Sequence, residues 1–179
     1  MGRLGIGFLR GRTKPPSGAF TIICGTSQKR RNKEPNAGTS PKREKMSLSG
    51  SRPIITMRLH HNGKTHTVRT LLDTGCSINL MNQQTVERLG ITKKKHDRPI
   101  QVENYTGETV RGAGQYYTEA LRLQHRKHYT TESFEISPME ADIDLFLPFG
   151  WIARHPPQGA WTTEEVRFNN PDCLSKCTK

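Results

Sequence analysis

Leu71-Leu72-Asp73-Thr74-Gly75-Cys76-Ser77 is the stretch on which the reading of this chain turns. An apolar run that ends on an acid and passes at once into Thr and Gly describes a strand that delivers a carboxylate to a tight corner. Gly75 lets the backbone turn sharply and approach a neighbour, and the Thr74 hydroxyl can bond adjacent main chain and hold the corner. The tripeptide alone also suits an ordinary turn, so its flanks must carry the argument.

Upstream, Ile54 to His61 and Lys64 to Leu72 are two β-compatible runs separated by Asn62-Gly63, a strong hairpin signal, and the second run leads straight into Asp73. Downstream, Asn82 is placed to cap a short helix that carries Val86 and Leu89 on one face, with Gly90 to end it. A second glycine-bearing segment, Val102 to Gly112, reads as another hairpin, with Tyr105-Thr106-Gly107 at its tip. Further on, Asp144-Leu145-Phe146-Leu147-Pro148-Phe149-Gly150-Trp151-Ile152 begins as a buried strand. Trp161 and the alternating Val166 and Phe168 fit final strands.

In this order of hairpin, acidic corner, strand, short helix and second hairpin, the chain resembles the retropepsins, particularly those of gypsy-type LTR retrotransposon polyproteins. The resemblance covers roughly Pro53 to Cys173. It implies an all-β fold, a half-barrel with one or two short helices, and the activity of an aspartic endopeptidase. Asp73, Thr74 and Gly75 would form the catalytic corner, and the hairpin at Tyr105, Thr106 and Gly107 would be a flap closing over substrate. Cys76 and Ser77 would line the cleft beneath it. Peptide hydrolysis without a metal needs one carboxylate to take a proton from water and a second carboxyl to donate one. One Asp-Thr-Gly and no Asp-Ser-Gly occur in the 179 residues, so an active form requires two chains about a twofold axis. The expected substrate is an extended polyprotein, and neither a metal nor an organic cofactor is implied. The family's glycine falls on Pro148 and its acid before Trp falls on Gly150. These departures support the alternative of an inactive or domesticated module that dimerises or binds peptides.

Charge separates the chain into two parts. Residues 1–45 hold eleven Lys or Arg against two acids, leaving seventeen basic and fourteen acidic groups elsewhere, so most of the net +12 sits on the N-terminal segment. That segment is rich in Gly, Pro, Ser and Thr and lacks periodicity, and residues 1–50 read as a disordered tail or linker. Residues 51–173 then form the domain and 174–179 a C-terminal tail. Lys29-Arg30-Arg31-Asn32-Lys33 offers a nucleic-acid contact or a nuclear signal, but no aromatic residue is interleaved for stacking, so a solvated linker is the preferred reading. No stretch is long enough to span a membrane, which leads to the expectation of an intracellular protein, cytoplasmic or nuclear.

Other candidate chemistry is weaker. Four cysteines do not make a secreted disulfide framework. Cys173 and Cys177 read as part of a frayed tail rather than a zinc site. His60, His61 and His66, or His125 and His128, are possible metal groupings. However, His60 and His61 would face opposite sides of a strand, and Arg122 to His128 reads as an exposed hairpin. Asp142 and Asp144 are second-choice acids that more simply mark the solvent-facing start of a strand.

Overall fold

The computed structural model describes residues 21–24, 52–161 and 165–178. The elements run β1 (Thr21–Cys24), β2 (Ile54–His61), β3 (Lys64–Asp73), β4 (Leu80–Asn82), α1 (Gln83–Leu89), β5 (Lys93–Lys95) and β6 (Gln101–Asn104), then β7 (Tyr116–Thr118), β8 (Leu121–His125), β9 (His128–Glu132), β10 (Glu135–Ser137), β11 (Leu145–Pro148), α2 (Phe149–Arg154) and α3 (Pro171–Lys176). Nine strands form one sheet in the order β5-β7-β10-β4-β11-β3-β2-β8-β9. The expected all-β half-barrel is the fold observed, with three short helices among the described residues where one or two were expected.

The hairpin β2–β3 forms in the register that its turn dictates. His61 faces Lys64 across Asn62 (φ 48°) and Gly63 (φ 70°), the left-handed pair that matches the twist of the two strands. Inward residues alternate along β2, with Ile55, Met57 and Leu59 fully buried. The middle of the sheet breaks this alternation. β11 lies between β3 and β4, parallel to β3 with Leu145 opposite Thr70 and Pro148 opposite Asp73, and antiparallel to β4. Strands covered on both faces are apolar throughout. Accordingly, Leu72, Leu145 and Leu147 enter the main core, while Leu71 and Phe146 join Cys76, Leu80 and Ile143 in a second cluster on the other face.

Helix α1 is closed at both ends as expected. The Asn82 side chain accepts from the Gln84 N–H, and Gly90 in the left-handed region sends its N–H to the carbonyls of Glu87 and Val86. Asn82 does more than cap: its Nδ2 donates to the carbonyls of Glu140 (3.1 Å) and Ile143 (3.0 Å), tying the helix start to the loop before β11. Asn82→Ala removes the cap, about 1 kcal/mol, and strands two carbonyls in a buried place. A total loss of about 2 to 3 kcal/mol is expected in urea unfolding, and a loss below about 1 kcal/mol would show that the interior bonds contribute nothing.

Three expectations need correction. The loop between β8 and β9 is not flanked by exposed histidines: Arg126 turns the chain at φ 56°, but His125 and His128 are 5% and 3% exposed. His125 sets its two ring nitrogens against the carbonyls of Thr56 (3.0 Å) and Val166 (2.9 Å), because the hairpin end folds under the C-terminal segment. The frayed C-terminal tail is instead α3, capped by the Asn170 side chain and carrying the buried Cys173, with the Cys177 carbonyl accepting the Tyr129 N–H at 2.6 Å. Among the described residues the final strands reduce to one isolated bridge, Gln158 to Arg167, although Val166 and Phe168 are buried as alternation required.

Of the basic N-terminal segment, the structure describes β1, which pairs in parallel with β6 from Thr21↔Gln101 to Cys24↔Asn104. This short strand is an exception to the disorder expected over 1–50. The rest of that reading, with the Lys29 to Lys33 cluster, lies outside the described residues. Among the described residues, no helix is long and apolar enough to cross a membrane.

Candidate active site

Asp73 is the last residue of β3, and the chain turns immediately after it. Its Oδ1 accepts the Gly75 N–H at 2.8 Å, and its carbonyl accepts the Cys76 N–H at 3.2 Å. A Cβ at Gly75 would sit 3.3 Å from Asp73 Oδ1, a tight contact that would push on the oxygen the Gly75 N–H holds. The other carboxylate oxygen, Oδ2, is buried without a hydrogen-bond partner. An orphaned acceptor of this kind costs about 1 to 3 kcal/mol. Burial raises the Asp73 pKa above its ordinary value, and the hydrogen bonds from the Gly75 and Cys76 backbone partly oppose that rise. Thr74 and Ser77 are exposed beside it.

Cys76 does not line an open cleft. It is 2% exposed, packed in the second apolar cluster, and its thiol donates to the Ile78 carbonyl at 3.1 Å. The chain reverses after Gly75, so the next side chain points back under the sheet. The expected cleft-lining role of Cys76 is therefore replaced by packing.

The second hairpin is present. The Val110 N–H donates to Val102 O (2.8 Å) and the Asn104 N–H to Glu108 O (2.9 Å). The tip is wound around Asn104, whose Oδ1 accepts from the Thr106 N–H, the Thr106 hydroxyl and the Glu108 N–H at 3.0, 2.6 and 2.9 Å. Gly107 takes φ +80°, and Tyr105 is 61% exposed. Below the hairpin an open cleft is lined by Leu80, Val102, Val110, Pro138 and Met139. Leu80 links it to the chain leaving the Asp73 corner.

The PEG10/RTL1 protease domain matches this chain over residues 69–177, a span that starts on β3, contains the corner and the flap-like hairpin, and ends after α3. The chain belongs to the PEG10/RTL1 protease domain family. Two solved structures are also similar: the retroviral protease-like domain of Ddi1 from Leishmania major, at 16% identity over 65% of this chain and 89% of that one with a TM-score of 0.41, and EIAV protease in complex with an inhibitor, at 12% identity over 63% and 96% with a TM-score of 0.46.

In this PEG10/RTL1 protease domain the local backbone accommodates both Pro148 and Gly150. Pro148 ends β11 directly opposite Asp73 and caps α2 at φ −79°, a value the ring adopts freely. The next residue supplies the bond a proline cannot, the Phe149 N–H donating to Cys76 O at 3.1 Å. Gly150 is exposed, and a Cβ there would meet nothing within 4 Å. Gly150→Asp in the first turn of α2 is expected to raise stability by about 0.5 to 1 kcal/mol; a drop in the thermal midpoint would contradict this.

The second-choice acids have other employment. Asp144 accepts from the Arg69 N–H (2.8 Å), the Thr85 hydroxyl and Arg88 (2.7 Å), fastening α1 to the β3–β11 pair. It lies beside Arg69, four residues along β3 from Asp73, about 13 Å away at the usual strand rise. Asp142 is an exposed partner of Arg69 at 3.5 Å. His60 and His61 diverge as expected, the first bonding Gln124 at 3.0 Å and the second Asn62 at 3.0 Å.

Two residues of the flap-like region escaped the sequence reading. Asn104 organises the tip, and its signal was the Asn-x-Thr-Gly pattern of an Asx turn. Gly114 stands at the foot of the hairpin at φ +78°, where a Cβ would lie 2.0 Å from the Ile100 carbonyl oxygen. Gly114→Ala is expected to displace that foot and cost about 1 to 3 kcal/mol, read as a lowered thermal midpoint; an unchanged midpoint would rule the clash out.

Proposed function

We propose that this domain is an aspartic endopeptidase that acts as a homodimer, with Asp73 of each copy meeting at the twofold axis. The observation that carries the reading is the Asp73 carboxylate: one oxygen fixed by Gly75, the other buried and unpaired, in a chain with a single such corner. A second carboxyl brought to contact distance gives the orphaned oxygen a shared proton. Two carboxylates so placed cannot both ionise, and their pKa values split. The ionised member takes a proton from a bound water as that water attacks the scissile carbonyl, and the protonated member gives its proton to the carbonyl oxygen. The resulting tetrahedral species collapses with proton transfer to the amine. Thr74 and Gly75 hold the corner, and Ser77 borders it.

The flap at Tyr105, Thr106 and Gly107 closes over the substrate and excludes water. The substrate class is an extended polypeptide, in keeping with a retroelement polyprotein. Its backbone adds to a strand edge.

The test is cleavage of a mixed peptide library by the full chain, with the mass followed by sedimentation across pH. Cleavage by a dimer is expected. Because the Asp73 pKa is raised, the shared proton persists above the ordinary carboxylate range, so the rate is expected to fall with rising pH through a value above 3.8. A folded dimer that cleaves nothing would move the assignment to a peptide-binding module, and a stable monomer would remove the catalytic pair.

A further inference from the structure

Away from the Asp73 corner, four side chains from three parts of the fold converge behind α2. His128 opens β9, His155 follows α2, and Cys173 and Cys177 stand one helical turn apart on α3 and at its end. One ligand-capable atom of each lies within 4.8 Å of all the others. The His155 Nδ1 is the hub, 3.1 Å from His128 Nε2, 3.4 Å from Cys173 Sγ and 3.8 Å from Cys177 Sγ. A ring nitrogen carries either one proton or one lone pair, so it cannot satisfy three partners by hydrogen bonding. A cation among the four atoms can.

We propose that His128, His155, Cys173 and Cys177 form a closed Cys2His2 site for zinc(II) that pins helix α3 and the end of α2 to β9. Tetrahedral zinc with Zn–N near 2.0 to 2.1 Å and Zn–S near 2.3 Å places its ligand atoms about 3.3 Å apart for two nitrogens and about 3.6 Å for nitrogen and sulfur. The observed 3.1, 3.4 and 3.8 Å bracket these values. The Cys-x3-Cys spacing falls within the range of structural zinc sites, and two thiolates with two imidazoles favour zinc over the harder calcium or magnesium.

Two features of the surroundings support the site, while His128 Nδ1 is buried without a hydrogen-bond partner among the described residues. Asn170 Nδ2 donates to Cys173 Sγ at 3.0 Å, the kind of outer contact that steadies a ligating thiolate. The Trp151 and Phe168 rings stand 4.7 Å from His155 and 5.0 Å from His128, centroid to centroid, and keep the cluster dry on that side. Four protein ligands leave no open position, so the ion is structural rather than catalytic. Loading it releases the two thiol protons.

The test uses the full chain, reduced, stripped of metal and titrated with zinc(II) and, as a coloured substitute, cobalt(II). Expected are about one equivalent bound per chain, an intense thiolate-to-cobalt charge-transfer band with tetrahedral ligand-field bands, and a thermal midpoint that falls when a chelator is added. Cys173→Ser with Cys177→Ser is expected to abolish stoichiometric binding, whereas Asp73→Asn keeps the metal, so the two assignments fail independently. Wild-type cobalt spectra without thiolate charge transfer would overturn the site even if the double variant did not fold. So would a thiol count showing a Cys173–Cys177 disulfide in protein that binds no metal.

Discussion

Asp73→Asn is expected to lower peptide cleavage by at least about 10³-fold while leaving the fold intact. Acid and base catalysis by a positioned side chain is worth about 10² to 10⁴, and here the same residue type supplies both. Asparagine preserves the shape and keeps an oxygen to accept the Gly75 N–H, but it can neither take a proton from water nor hand one to the carbonyl. Near-ultraviolet circular dichroism and the thermal midpoint are expected to stay close to wild type. Mixing sharpens the result: at equal amounts, random dimers leave about a quarter of pairs with two aspartates. Cleavage is then expected at about a quarter of that given by the same total of wild-type protein, against about half if single chains were active. Substantial cleavage by the homogeneous variant would remove Asp73 from the chemistry.

Trp151→Ala is expected to cost about 3 to 5 kcal/mol, a large share of the roughly 5 to 15 kcal/mol available to a domain of this size. The ring is fully buried. It meets Phe168 edge-on with centroids 5.1 Å apart, lies against His128 and His155, and sends its Nε1–H to the Thr130 hydroxyl at 3.4 Å. Truncation leaves a cavity where α2, β9 and the C-terminal segment meet. A fall of roughly 10 to 20 °C in the thermal midpoint is expected. Phe149, two residues earlier and 59% exposed, serves as the control, its change to Ala remaining within about 0.5 kcal/mol. A midpoint for Trp151→Ala within a few degrees of wild type would show that this junction does not hold the domain. Since α2 follows Pro148, which faces Asp73 across β3 and β11, loss of the junction is expected to weaken cleavage as well.

Local chemistry was legible wherever a feature is made by neighbours in sequence. Asn62-Gly63 specifies left-handed turn geometry, and the hairpin follows it. Asn82 and Gly90 cap a helix they nearly touch in the chain. The Asp73-Thr74-Gly75 corner is built from its own backbone, the Gly75 N–H reaching back two residues. Where an interaction joins distant segments, residue type alone misled. The retropepsin resemblance put Cys76 in the cleft, and it is core, because the turn sends it under the sheet. Asp144 looked like a solvent-facing acid and is a three-way fastener between β3, α1 and β11. His128 looked like part of an exposed hairpin and is buried under α2 and α3.

The hairpins, the caps, the acidic corner and its likeness to the retropepsins follow from residue order, since hydrogen bonds spanning two to five residues depend on little beyond local backbone preference. That Asp73 keeps an unpaired oxygen, and that His128, His155, Cys173 and Cys177 share one small space, emerges from long-range packing. Those facts depend on which faces of separate strands and helices are pressed together when the core closes, and burial of apolar surface has no direction along the chain.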